Sequence, residues 1–418
     1  MTESEPPRPT ASVAKPATDF HRYPFYAPRF WHGMRPLTWF GLLRQGGFRI
    51  HPSRIGNLIG VTLATPFNTV LAGIQRVIFG RRLAAAELHG PPVFIIGHWR
   101  SGTTLLHELM VRDERYSSPS TFQCFAPHHF LVSEWVFQKF FRWLLPQKRP
   151  MDNMAAGWDR PQEDEFAIMN LGLPSPYRHI AFPCEKPVDL DYLDFKDVDQ
   201  TALDHWLKTL RSFLLAVSTV TGRPLVIKSP THTGRIAALA KEFPDARFIH
   251  VTRDPRALFP STCRLWTSLA ADQGMQVPPA LSARKHSPRN DSARVSDESS
   301  PPKLSAEKQY VIDCMQRMYD SFHQDRDQID ANRLVDIHYE DLIADPVATL
   351  ETVYRSLRLS DFESVRPVIE NWANTEHRSY QTNRHRLSEQ DEATIRSAWK
   401  DYFETYGYAN DERSQADD

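Results

Sequence analysis

The chain has 418 residues, of which 41% are hydrophobic and 24% are charged. This composition excludes a wholly disordered chain and supplies enough apolar material for one large domain with attachments. The 50 Lys and Arg residues nearly balance the 51 Asp and Glu residues, which argues against a nucleic-acid-binding protein. The four cysteines lie far apart without a C-x-x-C pair, so we expect no metal site, no disulfide scaffold and a cytoplasmic setting.

The N-terminal part divides into a tail and an extension. Residues 1–19 are rich in Pro, Ser, Thr and Glu and lack a signal-peptide pattern, so we predict a disordered tail. Residues 20–90 form an N-terminal aromatic and apolar extension, in which aromatic and basic residues crowd between Phe20 and Phe48. Such a mixture suits a membrane interface, and it equally suits an arm that packs over the domain.

Ile55 to Ile74 is a charge-free run of about twenty residues, long enough to span a bilayer. Asn57, Pro66, Asn68 and several threonines dilute this run. We therefore expect a buried helix pair or an in-plane membrane contact rather than a spanning helix. An in-plane contact would hold the protein peripherally at the inner face of a membrane.

From Pro91 onward, short apolar runs alternate with helical patterns. Strands are predicted over residues 92–96, 224–227, 246–252 and 333–339, and the first two are expected to be buried. Helices are predicted over residues 103–111, 232–243, 255–271 and 345–357, and mostly helical insertions over 125–145 and 158–215. This alternation indicates an α/β fold with a mainly parallel sheet flanked by helices. The domain is expected to occupy residues 91–410, with a disordered polar insert at about 281–305 and a disordered tail at 411–418.

The most informative stretch runs from Gly97 to Thr104 and reads G-H-W-R-S-G-T-T. It joins the first predicted strand to an amphipathic helix, where loop amides and a helix N-terminus hold an anion. Ser101, Thr103 and Thr104 add hydroxyl donors. The stretch nearly matches G-x-x-x-x-G-K-[ST], but Thr103 replaces the lysine that triphosphate chemistry requires. A predicted strand also ends in Arg253, where Mg²⁺ would need a carboxylate. The loop is therefore predicted to hold a phosphate-like group.

At these positions the chain resembles the sulfotransferase family, whose members use 3′-phosphoadenosine 5′-phosphosulfate (PAPS). The 5′-phosphosulfate loop of that family is a basic residue followed by S-G-T-T, which Arg100 to Thr104 match. Its 3′-phosphate motif is an arginine at a strand end with a serine eight positions later, matched by Arg253 and Ser261. Lys228 stands where the tyrosylprotein branch has a K-D-P segment. The segment from His338 to Pro346 is similar to the Y-E-D-L…D-P segment of bacterial members.

The resemblance covers roughly residues 91–357 and implies a P-loop-like core and transfer of a sulfuryl group to a hydroxyl or amine. The residues expected to bind the donor are Gly97, Arg100, Ser101, Gly102, Thr103, Thr104, Arg253 and Ser261. Negative charge develops on the bridging oxygen during such a transfer, so cations aimed at that oxygen are the main catalytic requirement. Arg100 and Lys228 are expected to supply them.

The general base is marked less clearly. Residues 118–130, where related branches place a Glu or His base, contain no acid but contain His128 and His129. The acidic triplet Glu163-Asp164-Glu165 runs into an apolar segment, and we favour Glu163 as the base with His128 second. The alternative is that the triplet only forms the first turn of a helix, where the helix dipole favours acids.

Near the C-terminus, Arg384 lies in a basic cluster before a helix predicted to begin near Ser388. Some sulfotransferases cover the 3′-phosphate with a late basic loop, and Arg384 is the candidate here, the alternative being a solvated basic turn. The sequence leaves the acceptor open among small molecules, glycans and lipids. Two other functions remain to be weighed: a P-loop kinase-like phosphotransferase, and a non-catalytic nucleotide-binding protein that docks at a membrane.

Overall fold

A computed structural model describes residues 24, 26–145, 157–278, 304–376 and 387–409. The two predicted disordered tails, most of the predicted polar insert and Arg384 lie outside the described residues, so those predictions stay as they were made.

Four parallel strands form the sheet of the described chain, in the order β2-β1-β3-β4. The strands are β1 (Val93–Ile96), β2 (Val226–Lys228), β3 (Arg247–Thr252) and β4 (Leu334–His338). In the register of the central strand, Ile95 lies opposite Lys228 on one side and Ile249 on the other. The four predicted strands are confirmed: β1 and β2 are buried at every position, as their apolar runs predict, whereas β4 at the edge of the sheet is only partly buried.

Helices cover both faces of the sheet. The first half of the chain contains α1 (Pro36–Gln45), α2 (Ile55–Ala84), α3 (Thr103–Met110), α4 (Thr121–Phe125), α5 (Phe130–Phe140), α6 (Glu165–Leu171) and α7 (Gln200–Thr221). The second half contains α8 (Ile236–Glu242), α9 (Pro255–Gln273), α10 (Ala306–Asp325), α11 (Tyr339–Ala344), α12 (Pro346–Ser356), α13 (Arg366–Thr375), α14 (Glu389–Ala398) and α15 (Lys400–Thr405). Short 3₁₀ turns lie at Phe30–Gly33, Pro52–Arg54, Arg142–Leu144, Pro176–Ala181, Leu190–Leu193, Pro230–Arg235 and Arg326–Gln328.

Alternate side chains of β1 enter two different cores, as the two-residue period of a strand requires. Phe94 and Ile96 join the larger core, which α7 to α10 cover, and Val93 and Ile95 join a smaller core under α3, α12 and α13. All four side chains are fully buried. Since the strands are parallel, the loops that follow β1, β2 and β3 meet at one edge of the sheet, where ligands of such folds bind.

The expected buried helix pair is wrong: α2 is one continuous helix that buries only a narrow stripe, made of Val61, Thr65, Asn68 and Gln75. Pro66 lies inside it without breaking it. A proline cannot donate to the carbonyl four residues earlier, and the Thr65 hydroxyl donates to that Thr62 carbonyl instead, at 3.0 Å. Within the described residues, the helical stretch Pro52–Ala84 has the length and hydropathy of a membrane span.

The aromatic extension packs over the domain at several points. The Trp31 indole is fully buried and donates through Nε1 to the Gln273 carbonyl at 2.7 Å, while the Phe30 amide donates to the Gln273 side chain at 3.2 Å. A Cβ at Gly33 would lie 1.9 Å from the Phe125 carbonyl oxygen, so this turn is pressed against the α4 backbone. Other aromatic residues of the extension, such as Phe40, remain exposed.

Candidate active site

The loop after β1 needs glycine at two positions. Gly97 and Gly102 have φ values of +139° and +99°, in the region that favours glycine. A Cβ at Gly97 would lie 2.4 Å from the Val251 carbonyl oxygen, and one at Gly102 would lie 2.3 Å from the Tyr339 ring. Arg100 also has a positive φ, +71°, although it is not glycine. Such a conformation is unfavourable for most side chains and is concentrated at functional loops.

The loop presents a buried hydroxyl that the described protein does not pair. The Ser101 side chain is fully buried, and its Oγ has no hydrogen-bond partner among the described residues. A buried polar atom without a partner is unfavourable unless a ligand or water completes it. Thr103 and Thr104 begin α3, whose free N-terminal amides favour an anion. The donor set therefore fits a phosphate-like group.

The two predicted donor-binding motifs meet in the structure. Arg100 Nε donates to Ser261 Oγ at 3.0 Å, and Arg253 Nη1 donates to the Arg100 carbonyl at 2.9 Å. The Arg253 guanidinium lies 4.1 Å from the centre of the Tyr339 ring, a cation–π geometry. The neighbouring carboxylate of Asp254 pairs with Arg256 at 2.9 Å.

Lys228 and Glu163, predicted from separate segments, form a direct ion pair. Lys228 ends β2 and is 2% exposed, and its Nζ donates to Glu163 Oε1 at 2.5 Å. The other carboxylate oxygen of Glu163 accepts a hydrogen bond from the Tyr177 hydroxyl. That hydroxyl accepts in turn from Trp99 Nε1 at 2.8 Å, so two hydrogen bonds link the phosphate loop to the Lys228–Glu163 pair. Burial and the Glu163 carboxylate raise the pKa of Tyr177 well above its usual value, which keeps it a donor.

The other two acids of the triplet have structural partners. Asp164 accepts from the Ser229 hydroxyl at 2.5 Å and lies 2.8 Å from His232 Nε2. Glu165 pairs with Arg235 at 2.6 Å, and both side chains are fully buried. Glu165 begins α6 and Asp164 immediately precedes it, so the triplet lies at the start of this helix, but it also anchors the segment that follows β2.

His128, the second candidate base, lies elsewhere. Its Nε2 is 3.1 Å from the Asn170 carbonyl at the far end of α6, whereas Glu163 precedes the start of that helix. Burial, together with the nearby Arg35 charge, lowers the pKa of His128 to about 4. The structure does not bring His128 to the Lys228–Glu163 pair.

Two aromatic residues of the site were not among the predicted residues. Tyr177 contacts Glu163, and the ring of Tyr339 contacts Arg253. Tyr339 stands in the quoted H-Y-E-D-L segment, which could have pointed to it. Tyr177 gave no local signal, because it lies on a 3₁₀ turn 14 residues from the carboxylate that it contacts. His98, in the same loop, is fully buried, and its Nε2 has no partner among the described residues.

Comparison with known proteins identifies relatives over nearly the whole chain. The model of the sulfotransferase family matches residues 91–364. The omega-hydroxy-beta-dihydromenaquinone-9 sulfotransferases of Mycobacterium bovis and Mycobacterium tuberculosis are each 35% identical to this chain over 387 residues, covering 93% of this chain and 93% of theirs.

Solved structures share the fold at much lower identity. The sulfotransferase STF9 from Mycobacterium avium has a TM-score of 0.55 and 17% identity, covering 89% of this chain and 96% of its own. The sulfotransferase STF1 from Mycobacterium tuberculosis has a TM-score of 0.54 and 16% identity, covering 90% and 93%. At these identities the likeness concerns the fold alone.

Proposed function

The chain belongs to the sulfotransferase family, and from this premise we propose that it is a cytoplasmic enzyme that uses PAPS to sulfate a lipid-like alcohol. One observation carries the proposal. Arg100 of the phosphate loop contacts Ser261 and Arg253, and the same loop is joined through Tyr177 to the Lys228–Glu163 pair. Anion-binding groups, a buried cation and a carboxylate thus meet where the strands end. A kinase-like phosphotransferase would require a lysine in the loop, which this chain lacks. Membership of the sulfotransferase family does not support that alternative either.

The two arginine motifs divide the donor between them. The amides at the start of α3, the Ser101 hydroxyl and Arg100 would hold the 5′-phosphosulfate, and Arg253 with Ser261 would hold the 3′-phosphate. The unpartnered Ser101 Oγ supports the first assignment. The second is supported by the place of Arg253 at the end of β3, without a carboxylate partner among the described residues. We propose no metal in the reaction.

Glu163 and Lys228 are assigned the two charged roles. PAPS, when bound, supplies the sulfuryl group, and the acceptor oxygen forms its new bond to sulfur as the old S–O bond leaves its electron pair on the 5′-phosphate. Glu163 accepts the proton of the acceptor hydroxyl on a carboxylate oxygen. Lys228 Nζ and Arg100 donate toward the oxygen that gains negative charge. Tyr177 holds the Glu163 carboxylate in place.

A hydrophobic acceptor agrees with the surroundings of Glu163. Phe166 and Tyr177 rings lie 5.1 Å apart, Trp99 and Tyr177 rings 6.2 Å apart, and Trp99 and Trp266 rings 5.3 Å apart. The mycobacterial relatives are named for a menaquinone derivative with an omega-hydroxy group, so a terminal hydroxyl on a lipid-like molecule is the acceptor class that we propose. Such a molecule resides in a membrane, and the N-terminal extension would hold the enzyme at that membrane peripherally.

Nucleotide-dependent stabilisation tests donor binding. Adenosine 3′,5′-bisphosphate should raise the melting temperature, because a ligand at 100 times its Kd adds about 2.7 kcal/mol to the free energy of unfolding. AMP lacks the 3′-phosphate and should do much less, and Arg253→Ala should remove the difference. Arg247→Ala, at the opposite end of the same strand, is the matched control and should keep it. Equal stabilisation of the wild type by both nucleotides would exclude the two-phosphate assignment.

Transfer of labelled sulfate from PAPS into a lipid extract of the source organism would then identify the acceptor. The non-catalytic alternative predicts nucleotide binding without any labelled product.

A further inference from the structure

Helix α2 has polar side chains on its buried side and apolar side chains on its exposed side, the reverse of an ordinary surface helix. Its buried stripe contains polar side chains: Asn68 Nδ2 donates to the His32 carbonyl at 2.6 Å, and Gln75 Oε1 accepts from the Leu131 amide at 2.9 Å. Its outer face carries large apolar side chains, of which Leu63 is 71% exposed. A helix that faces water normally shows the reverse pattern. The outer face of α2 is therefore suited to an apolar environment.

Two neighbouring helices extend this apolar face. Trp39 of α1 donates through Nε1 to Thr62 of α2 at 3.0 Å, and the Gln75–Leu131 hydrogen bond joins α2 to α5. The exposed large hydrophobic side chains of α1, α2, α5 and the adjoining turns are Tyr26, Leu37, Phe40, Phe48, Ile55, Ile59, Leu63, Phe67, Val70, Ile74, Val77, Ile78, Trp135, Phe140 and Trp143. In the rest of the described chain, the exposed large hydrophobic side chains are Val220 and Val368. A contiguous patch of this kind marks an interaction surface.

The charge of the same region is one-sided. Residues 26–86 contain eight arginines and no lysine, aspartate or glutamate, although the whole chain has a net charge of −1. At the end of α5, Lys139 and Arg142 stand beside Trp135 and Trp143 and line a cavity of about 1050 Å³. Among the described residues, Arg160 and one acid, Asp159, also line it. Tryptophans beside cations are typical of the headgroup level of a bilayer.

We propose that the surface formed by α1, α2 and α5, the docking face, binds an anionic bilayer leaflet with α2 lying in its plane. The proposal deepens the peripheral contact of the proposed function and rests on it. Apolar side chains would enter the acyl region, while the arginines and the Lys139–Arg142 cavity would contact anionic phospholipid headgroups.

A bilayer fits the docking face better than a second copy of the chain does. Two such faces in contact would oppose arginine-rich regions that contain no carboxylate between residues 26 and 86. An anionic leaflet supplies the missing negative charge. A spanning α2 fits less well, because Asn68 and Gln75 would lose partners that hydrocarbon cannot replace.

The two 3₁₀ turns that precede α1 and α2 join the docking face to elements of the active site. The Phe30 ring lies 4.5 Å from the ring of Phe166, three residues after Glu163. Trp31 and Arg54 donate to carbonyls of Gln273 and Ala271 at the end of α9, the helix that carries Ser261. A leaflet on this face would therefore present its lipids beside the elements that carry Glu163 and Ser261.

Flotation of the purified full chain with vesicles tests the docking face. We expect binding to phosphatidylcholine vesicles that contain about 30% phosphatidylglycerol. Each basic residue that contacts the anionic surface should raise the affinity roughly fivefold. Binding should be at least about tenfold weaker to pure phosphatidylcholine and should fall at high salt. Leu63→Glu and the pair Arg81→Gln with Arg82→Gln should each weaken it about tenfold or more. Val368→Glu, which places the same charge at an exposed valine outside the docking face, is the control and should bind as the wild type does.

Several results would overturn the proposal. They are equal binding to neutral and anionic vesicles, no binding to either, equal effects of Leu63→Glu and Val368→Glu, or a solution dimer that Leu63→Glu dissociates. Retention after carbonate washing with release only by detergent would replace the in-plane helix with a spanning one. Stabilisation by adenosine 3′,5′-bisphosphate, measured on the same samples, separates failure of this proposal from failure of donor binding and shows that each variant is folded.

Discussion

Glu163 accepts hydrogen bonds from a lysine and a tyrosine, and this arrangement distinguishes it from the other candidate base. The Lys228 charge neutralises the carboxylate in a largely buried setting, and the Tyr177 hydroxyl fixes its orientation. His128 instead hydrogen-bonds a main-chain carbonyl and has a pKa lowered to about 4. Removing the proton-accepting group of each residue by substitution is therefore expected to have different effects.

Glu163→Gln should lower kcat by about 10²–10⁴, the usual contribution of a positioned base. The glutamine oxygen can accept from only one of the two donors, Lys228 or Tyr177, but the groups assigned to the nucleotide phosphates are unchanged, so binding of adenosine 3′,5′-bisphosphate should be retained. His128→Gln is the control and should leave kcat within about threefold of the wild type, since its imidazole is remote from the Lys228–Glu163 pair. Both values would be measured at saturating PAPS with the identified acceptor. A large loss for His128→Gln with none for Glu163→Gln would reverse the assignment.

At the scale of elements, the acidic triplet at the start of α6 fastens the segment that follows β2. Glu165 contacts Arg235, whose guanidinium also lies 4.6 Å from the Trp206 ring of α7. Burial alone would raise the pKa of Glu165, but the Arg235 charge outweighs it and lowers that pKa. The pair thus ties α6, α7 and the 3₁₀ turn Pro230–Arg235 into one unit behind Lys228.

Arg235→Met should destabilise the protein by about 3–5 kcal/mol, because it leaves the buried Glu165 carboxylate without its partner. Arg366→Met breaks ion pairs with the exposed carboxylates of Glu363 and Glu351 and should cost no more than about 1 kcal/mol for each pair. Urea unfolding followed by circular dichroism would measure both changes. If the two variants lost similar stability, the buried pair would not be the anchor that the contacts indicate.

At the scale of the whole molecule, buried histidines couple stability to pH. Burial is the largest cause that lowers the pKa of five of them to about 4: His32, His98, His128, His129 and His179. In the unfolded chain these rings titrate near 6.5, so between pH 6.5 and 4 the unfolded state binds more protons than the folded state. Stability is therefore complete above pH 6.5 and is lost as the pH falls toward 4.

Each such ring contributes up to about 1.4 kcal/mol of lost stability per pH unit in that window. Urea midpoints at pH 7.5, 6.0 and 5.0 should fall steeply below pH 6.5 and stay level above it. His98→Gln should flatten this slope by the share of one ring. A midpoint that did not move between pH 7.5 and 5.0 would contradict the prediction.

The sequence by itself determined the features that depend on neighbouring residues. Short apolar runs closed by turns indicate the parallel strands, and the spacing from Gly97 to Thr104 indicates an anion-binding loop. Both patterns can be recognised because each is contained within about ten consecutive residues. The order of the motifs carrying Arg100, Lys228 and Arg253 was enough to indicate the family.

Only the tertiary structure decided among chemically similar residues. Glu163, Asp164 and Glu165 are adjacent acids, and their different roles follow from partners such as Lys228, His232 and Arg235, more than sixty residues away. The orientation of α2 was likewise undetermined, because composition records an apolar run but not which side the Asn68 and Gln75 contacts turn inward. Such assignments depend on which distant groups the fold brings within hydrogen-bond distance, and local sequence does not encode that distance.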